Sequence, residues 1–158
     1  VKEVVFQETF LNQIANRLTI PKSTVKRIWD KYTDYLIKKI DSGESVKFLN
    51  ICYLRVNTKN LSKGEGVFET LAYIAHEVAD AIGESQILVY RVLTSFEEYL
   101  ILDLQNFYSY SIRGIVRIRL ERYNGYYRVR TKKSTRYNGK DVYVTTIGTF
   151  KRKVEFAA

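Results

Sequence analysis

Apolar residues return along this chain at two periods, and the alternation between them is what first organises it. Phe10, Leu11, Ile14, Ala15 and Leu18 keep the three-and-four step of a helix that opens at Glu8 or Thr9. Ile20-Pro21-Lys22-Ser23 interrupts it, because proline disfavours helical geometry in the residue before it and suits the opening turn of a new helix. Val25, Ile28, Trp29, Tyr32, Tyr35, Leu36 and Ile40 form a second helical stripe, closed by Asp41-Ser42-Gly43-Glu44 with Gly43 placed for a left-handed cap. Strands follow at 45–49 and 51–56, with Asn50 near the turn between them. Asn57 to Gly66 is polar, contains glycine and reads as a linker.

A similar order then returns. Phe68 to Ile82 is helical by pattern, with Leu71, Ile74, Ala75, Val78, Ala79 and Ile82 on one side. Gly83-Glu84-Ser85 breaks it, and Ile87 to Leu104 predicts a second helix through Val89, Tyr90, Leu93, Phe96, Tyr99 and Leu100. Strands are predicted at 107–112 and 115–123, around a turn at Arg113-Gly114, and finally at 142–147. Asn124-Gly125 and Asn138-Gly139 each favour a tight hairpin turn with positive φ. The pattern therefore predicts an α+β fold of two copies at a spacing of about 60 residues. It sets Ile74-Ala75 against Ile14-Ala15. Ile87 and Tyr90 fall against Val25 and Ile28 after a small insertion, and Leu100 and Leu104 against Leu36 and Ile40 after another. The expected units are residues 1–60, a linker at 61–67, and residues 68–158.

Composition permits such a fold. In 158 residues, 46% hydrophobic and 27% charged content suits a globular chain with a buried core. No apolar stretch reaches the roughly 18 residues of a membrane-spanning helix, and Val1 to Phe6 lacks the pattern of a secretory signal. The single cysteine, Cys52, cannot form an internal disulfide, which fits a reducing compartment or indifference to redox state. Charge changes the picture more. The net charge is +9, and half of the 26 Lys and Arg residues lie between Arg113 and Lys153, opposed there by Glu121 and Asp141 alone. An anionic partner is implied: nucleic acid, an acidic protein surface or a membrane face.

Residues 9–18, Thr-Phe-Leu-Asn-Gln-Ile-Ala-Asn-Arg-Leu, are similar to the first helix of the HU/IHF family of bacterial histone-like proteins. Pro21-Lys22-Ser23-Thr24-Val25 sits where the family starts its second helix, and Ser42-Gly43-Glu44-Ser45-Val46-Lys47-Phe48 resembles its glycine-glutamate turn into the first strand. The second copy is looser, with Arg113-Gly114-Ile115 where the family has a glycine-containing turn. The resemblance implies two tandem modules, each a helical hairpin followed by an antiparallel sheet, the second with an extended basic β-arm. Two departures matter. Leu49-Asn50-Ile51-Cys52 replaces the family's glycine-rich turn, and the intercalating proline of the family's arm is missing, since Pro21 is the only proline. Kinking of DNA by a proline wedge is therefore not supported.

The resemblance implies non-enzymatic, architectural, largely sequence-independent DNA binding, in a nucleoid-associated cytoplasmic protein. Its alternative is structural assembly, as in the ring-shaped neck or tail components of some tailed bacteriophages, with the virion as location. The partners are then DNA phosphates or other assembly proteins, with a homo-oligomer or an intramolecular pseudo-dimer and no membrane. The candidate nucleic-acid-binding residues are Arg117, Arg119, Arg128, Arg130, Lys132, Lys133, Arg136 and Lys140. Arg117 and Arg119 share one strand face, opposite Val116, Ile118 and Leu120, and Arg128 and Arg130 flank Val129 likewise. Guanidinium groups in a row suit phosphates, and Tyr123, Tyr126, Tyr127 and Tyr137 suit sugars or unstacked bases. Residues 132–140 are the best candidate for the arm tip. The same alternation also suits a half-buried strand with a solvated face, and thirteen tyrosines suit protein contacts.

Nothing in the residues points to catalysis or to a cofactor. His76, the only histidine, falls on a predicted helix, and Cys52 reads as a buried structural thiol on a strand. One His and one Cys fall short of the usual four-ligand zinc set, and no phosphate-binding loop, dinucleotide fingerprint or nucleophile elbow is present. Glu84, Glu97 and Glu98 read as solvated helix charges or caps, and Trp29 as core.

Overall fold

The first helix ends where its backbone turns left-handed. In α1 (Gln7–Leu18) the buried stripe is Phe10, Leu11, Ile14 and Ala15. The chain leaves it through Thr19 at φ 55°, and Ile20 N–H donates back to the Ala15 carbonyl over 3.1 Å. That bond satisfies a carbonyl the helix end would otherwise leave without a partner. Pro21 caps the next helix, α2 (Lys22–Asp41), from outside its first turn, and Thr24 and Val25 donate to its carbonyl. Val25, Ile28, Trp29, Tyr32, Leu36 and Ile40 are buried along it. Gly43 at φ 76° closes α2 in the same manner, with Glu44 N–H donating to Lys39.

In this computed structural model, the residues described are 2–3, 7–57, 69–105, 108–113, 116–118, 120–123, 126–129, 135–137 and 140–146. The remaining helices are α3 (Leu71–Ile82) and α4 (Gln86–Gln105). The strands are β1 (Lys2–Glu3), β2 (Val46–Phe48), β3 (Cys52–Asn57), β4 (Tyr108–Ile112), β5 (Val116–Ile118), β6 (Leu120–Tyr123), β7 (Tyr126–Val129), β8 (Thr135–Tyr137) and β9 (Lys140–Thr146). The architecture is α+β.

The second helix pair reproduces the first at a step of 64 residues: Gln7 to Leu71 for the short helices, Lys22 to Gln86 for the long ones, with lengths of 12 and 20 residues in both cases. Backbone conformation repeats at the same step. Gly83 (φ 73°) answers Thr19, and Arg113 (φ 48°) answers Leu49 (φ 50°). Glu84 N–H donates to Ala79 as Ile20 does to Ala15. The register expected from sequence is corrected accordingly. Ile74-Ala75 falls on Phe10-Leu11, and the counterparts of Val25 and Ile28 are Val89 and Val92, both buried, whereas Ile87 and Tyr90 are exposed. No insertion separates the helices. The pairing of Leu100 and Leu104 with Leu36 and Ile40 obeys the 64-residue step.

Each short helix packs on its own long helix and on that of the other repeat: α1 on α2 and α4, α3 on α4 and α2. Trp29 of α2 stacks on Phe96 of α4 with ring centroids 4.1 Å apart, Phe10 stacks on Tyr99 at 5.8 Å, and Phe48 on Tyr110 at 5.9 Å. All three contacts join the two repeats, so the core is continuous. The sheets exchange strands as well. β9 runs antiparallel to β3 along the whole length of β3, from Cys52 opposite Thr146 to Asn57 opposite Asp141, giving a sheet of order β2-β3-β9-β8. β1 lies parallel to β4 in a sheet of order β1-β4-β5. β6 and β7 form a separate two-stranded ribbon.

The linker expected at 61–67 lies outside the described residues. α3 begins at Leu71, not Phe68, because Thr70 caps it, its Oγ1 accepting from Tyr73 N–H at 3.1 Å. The final strand spans Lys140–Thr146, not 142–147. Among the described residues no helix is long and apolar enough to cross a membrane.

Candidate nucleic-acid interface

Four of the eight candidate basic residues lie on described strands, and these four come from all three sheets. Arg117 is exposed on β5 opposite Ser111, and the neighbouring Ile118 is buried, so the expected alternation holds at this pair. Arg128 stands on β7 opposite Glu121, Arg136 on β8 opposite Asp141, and Lys140 opens β9 opposite Tyr137. Each of the two carboxylates of this basic region is thus the cross-strand neighbour of a candidate arginine. Arg119, Arg130, Lys132 and Lys133 lie outside the described residues. β9, though paired with β3 and β8, comes close to both β5 and β7, which brings the described basic strands into one region of the molecule.

Both Asn-Gly pairs lie between paired strands. Tyr123 opposes Tyr126 across Asn124-Gly125, and Tyr137 opposes Lys140 across Asn138-Gly139, the two-residue connection such pairs favour. Of residues 132–140, the expected arm tip, 135–137 supply an edge strand of the four-stranded sheet. The hairpin joined to neither larger sheet is the one at Asn124-Gly125.

The first repeat adds cations that the sequence reading missed. Lys47 and Arg55 are half-buried on strands whose alternate residues Val46, Phe48, Cys52, Leu54 and Val56 are buried. The Arg55 guanidinium lies 5.2 Å from the Tyr53 ring centroid, a cation–π distance. Arg55 is opposite Tyr143 of β9 in register. The signal was present as the two-residue period of 46–56, but these residues belong to the less basic half, and charge density drew attention elsewhere.

Arg113, part of the basic run in sequence, is committed to the fold. It donates to the Asp34 carboxylate at 2.8 Å and to the Asp30 carbonyl at 3.0 Å, tying the second repeat's turn to α2. The first repeat's turn is held reciprocally. Asn50 N–H donates to Glu97 of α4 at 2.7 Å, and Leu49 N–H donates to the buried Tyr32 hydroxyl at 2.7 Å. Burial pushes the Tyr32 phenol well above its usual range, so it stays protonated and also donates to the Lys47 carbonyl at 3.3 Å. Glu84 and Glu98, expected as solvated charges or caps, do sit in exposed pairs, and those pairs cross between the repeats: Arg27 binds Glu84 at 2.8 Å and Arg17 binds Glu98 at 2.5 Å; Glu97 accepts from Asn50 of the other repeat. Their partners are too distant in sequence for local spacing to reveal.

Cys52 is fully buried, and burial raises its thiol pKa, which removes the thiolate a nucleophile needs. His76 is exposed, 3.2 Å from Asp80 one turn along α3. Among the described residues no group of three potential metal ligands occurs. No family model, curated protein or solved structure matches this chain.

Proposed function

We propose that the chain is a non-enzymatic, tandem HU/IHF-like protein whose two repeats replace the two subunits of a dimer and whose basic strands bind duplex DNA with little sequence preference. The observation that carries this reading is where the unbalanced charge resides. Residues 113–153 hold 13 basic and 2 acidic side chains, while the rest of the chain holds 13 basic and 15 acidic ones. The entire positive excess therefore belongs to residues 113–153. Elsewhere, several of the helical cations are matched by carboxylates of the other repeat. In this reading the β6–β7 ribbon is the basic arm, and Arg117, Arg119, Arg128, Arg130, Lys132, Lys133, Arg136 and Lys140 contact phosphates. With no base-reading pattern evident, shape and deformability of the duplex govern preference.

Fluorescence anisotropy with two duplexes of unrelated sequence tests it. Both should bind alike. Affinity should fall by about 10³–10⁵ between roughly 50 and 200 mM salt if about six to ten phosphates are engaged. Arg128→Glu with Arg130→Glu should weaken both complexes equally. Unchanged low-salt binding by that variant would remove the strands from the interface. A second reading, assembly of a ring-like or other oligomeric structure such as a virion component, is favoured by one observation: large apolar side chains exposed on α3 and α4.

A further inference from the structure

The 64-residue step compares surface positions as directly as buried ones. In the first turns of α2, Ser23 and Lys26 are exposed, an ordinary helix surface. Their counterparts on α4 are Ile87 and Tyr90, which are 70% and 39% exposed. Tyr73 of α3, 45% exposed, is close by, since the Gln86 side chain donates to the carbonyl of its neighbour Ala72 at 3.1 Å. Among the described residues these three are the exposed large hydrophobics. The first repeat forms the same helix pair with polar side chains on α2, so the fold does not require Ile87 and Tyr90 to be apolar. Exposed apolar clusters mark contact surfaces, and aromatic residues commonly anchor them.

Charge identifies what fits there. From Gly64 to Tyr90 the chain contains five acidic residues and no Lys or Arg. Glu69 and Glu84 are bound by Lys39 and Arg27 of the first repeat. Among the described residues no cation of the other repeat pairs with Glu77 or Asp80; Glu77 accepts from the Tyr73 hydroxyl at 2.6 Å and Asp80 lies beside His76. The surface is thus apolar, aromatic and acidic, on a chain whose residues 113–153 are strongly basic and contain tyrosine.

We infer that the outer surface of α3 and the first turns of α4 docks the basic β-rich region of a second copy of this chain, head to tail. The inference rests on the assembly reading. Two different surfaces meet, so the contact is heterologous, and it propagates into a ring or a filament according to whether its rotation closes. Duplex DNA competes for the same basic region, so assembly and DNA binding oppose each other.

Sedimentation of the full chain at roughly 50 and 500 mM salt, with and without a short duplex, tests this. The wild type should exceed dimer mass as concentration rises at low salt, return to single chains at high salt, and disperse when excess duplex is added. Ile87→Ser with Tyr90→Lys installs the first repeat's own residues at their counterpart positions. It should remain a single chain at low salt with its helical circular dichroism intact, and its apparent DNA affinity should equal or exceed that of the wild type, because the competing self-association is gone. Glu77→Lys with Asp80→Lys should abolish association equally. The docking is overturned if the wild type is a single chain at every concentration, or if a salt-resistant dimer marks a symmetric apolar contact. Association untouched by either variant also overturns it. Assembly without any duplex binding removes the DNA reading and leaves the docking standing, and duplex binding by a chain that never assembles does the reverse.

Discussion

After its short helix, the first repeat turns left-handed on Thr19 and the second on Gly83, at the same place and nearly the same φ. Inside the next helix the first repeat buries Tyr32 where the second buries Phe96, and at the sheet turn the first carries Leu49 where the second carries Arg113. The two repeats share a backbone and differ in how each turn is held. The first uses a buried hydroxyl, with a carboxylate from the other repeat. The second uses a guanidinium that reaches across to the other repeat's helix. Backbone conformation is therefore set by the helix–helix–hairpin frame: the first turn has its own N–H groups bound by Tyr32 and Glu97, whereas the second is anchored by a side chain that donates outward to α2. Surface residues show no such constraint, and there the repeats diverge in charge.

The largest effect is expected where the repeats meet. Trp29→Ala removes the ring stacked on Phe96 and should cost about 3–5 kcal/mol, and Leu93→Ala at the counterpart position about 2–5 kcal/mol, both read by chemical denaturation. Tyr32→Phe makes the first repeat like the second at that position. It leaves Leu49 N–H without its acceptor and should cost about 1–3 kcal/mol, whereas Phe96 already does without a hydroxyl. If Tyr32→Phe is neutral, the hydroxyl does not hold the turn.

The pair Thr19 and Gly83 gives effects of opposite sign. A Cβ at Gly83 would meet nothing within 4 Å, so Gly83→Ala should cost only the left-handed backbone strain, about 1–2 kcal/mol. Thr19→Gly should relieve comparable strain and, after the added chain entropy of glycine, stabilise by up to about 1 kcal/mol. Thermal melts of both variants decide the sign. The smallest effect belongs to the exposed cross-repeat pairs. A double-mutant cycle on Arg27 and Glu84 should give under about 1 kcal/mol, shrinking in salt.

Much of this was legible in the residues. The helical stripes, the Gly43 and Gly83 stops, the two Asn-Gly turns and the existence of a repeat all follow from local spacing. The register of the repeat was not, for a physical reason. Ile87 and Tyr90 are apolar, so periodicity alone drew them into the buried stripe, although the structure buries Val89 and Val92 there. Strand exchange was equally hidden, because alternation in 140–146 marks a strand without stating that β3 is its neighbour. Of the candidate interface, the basic concentration was evident, while the commitment of Arg113 to α2 depends on a contact between distant segments; the Arg55–Tyr53 contact is local to β3 and lay in the less basic half of the chain.

Cooperativity of unfolding tests most directly whether the repeats are one body. Calorimetry should show a single transition whose calorimetric and van't Hoff enthalpies agree, and both Trp29→Ala and Leu93→Ala should lower that same transition. Two resolved transitions, with each variant shifting a different one, would mean that the repeats fold separately and that the shared core does not govern the molecule.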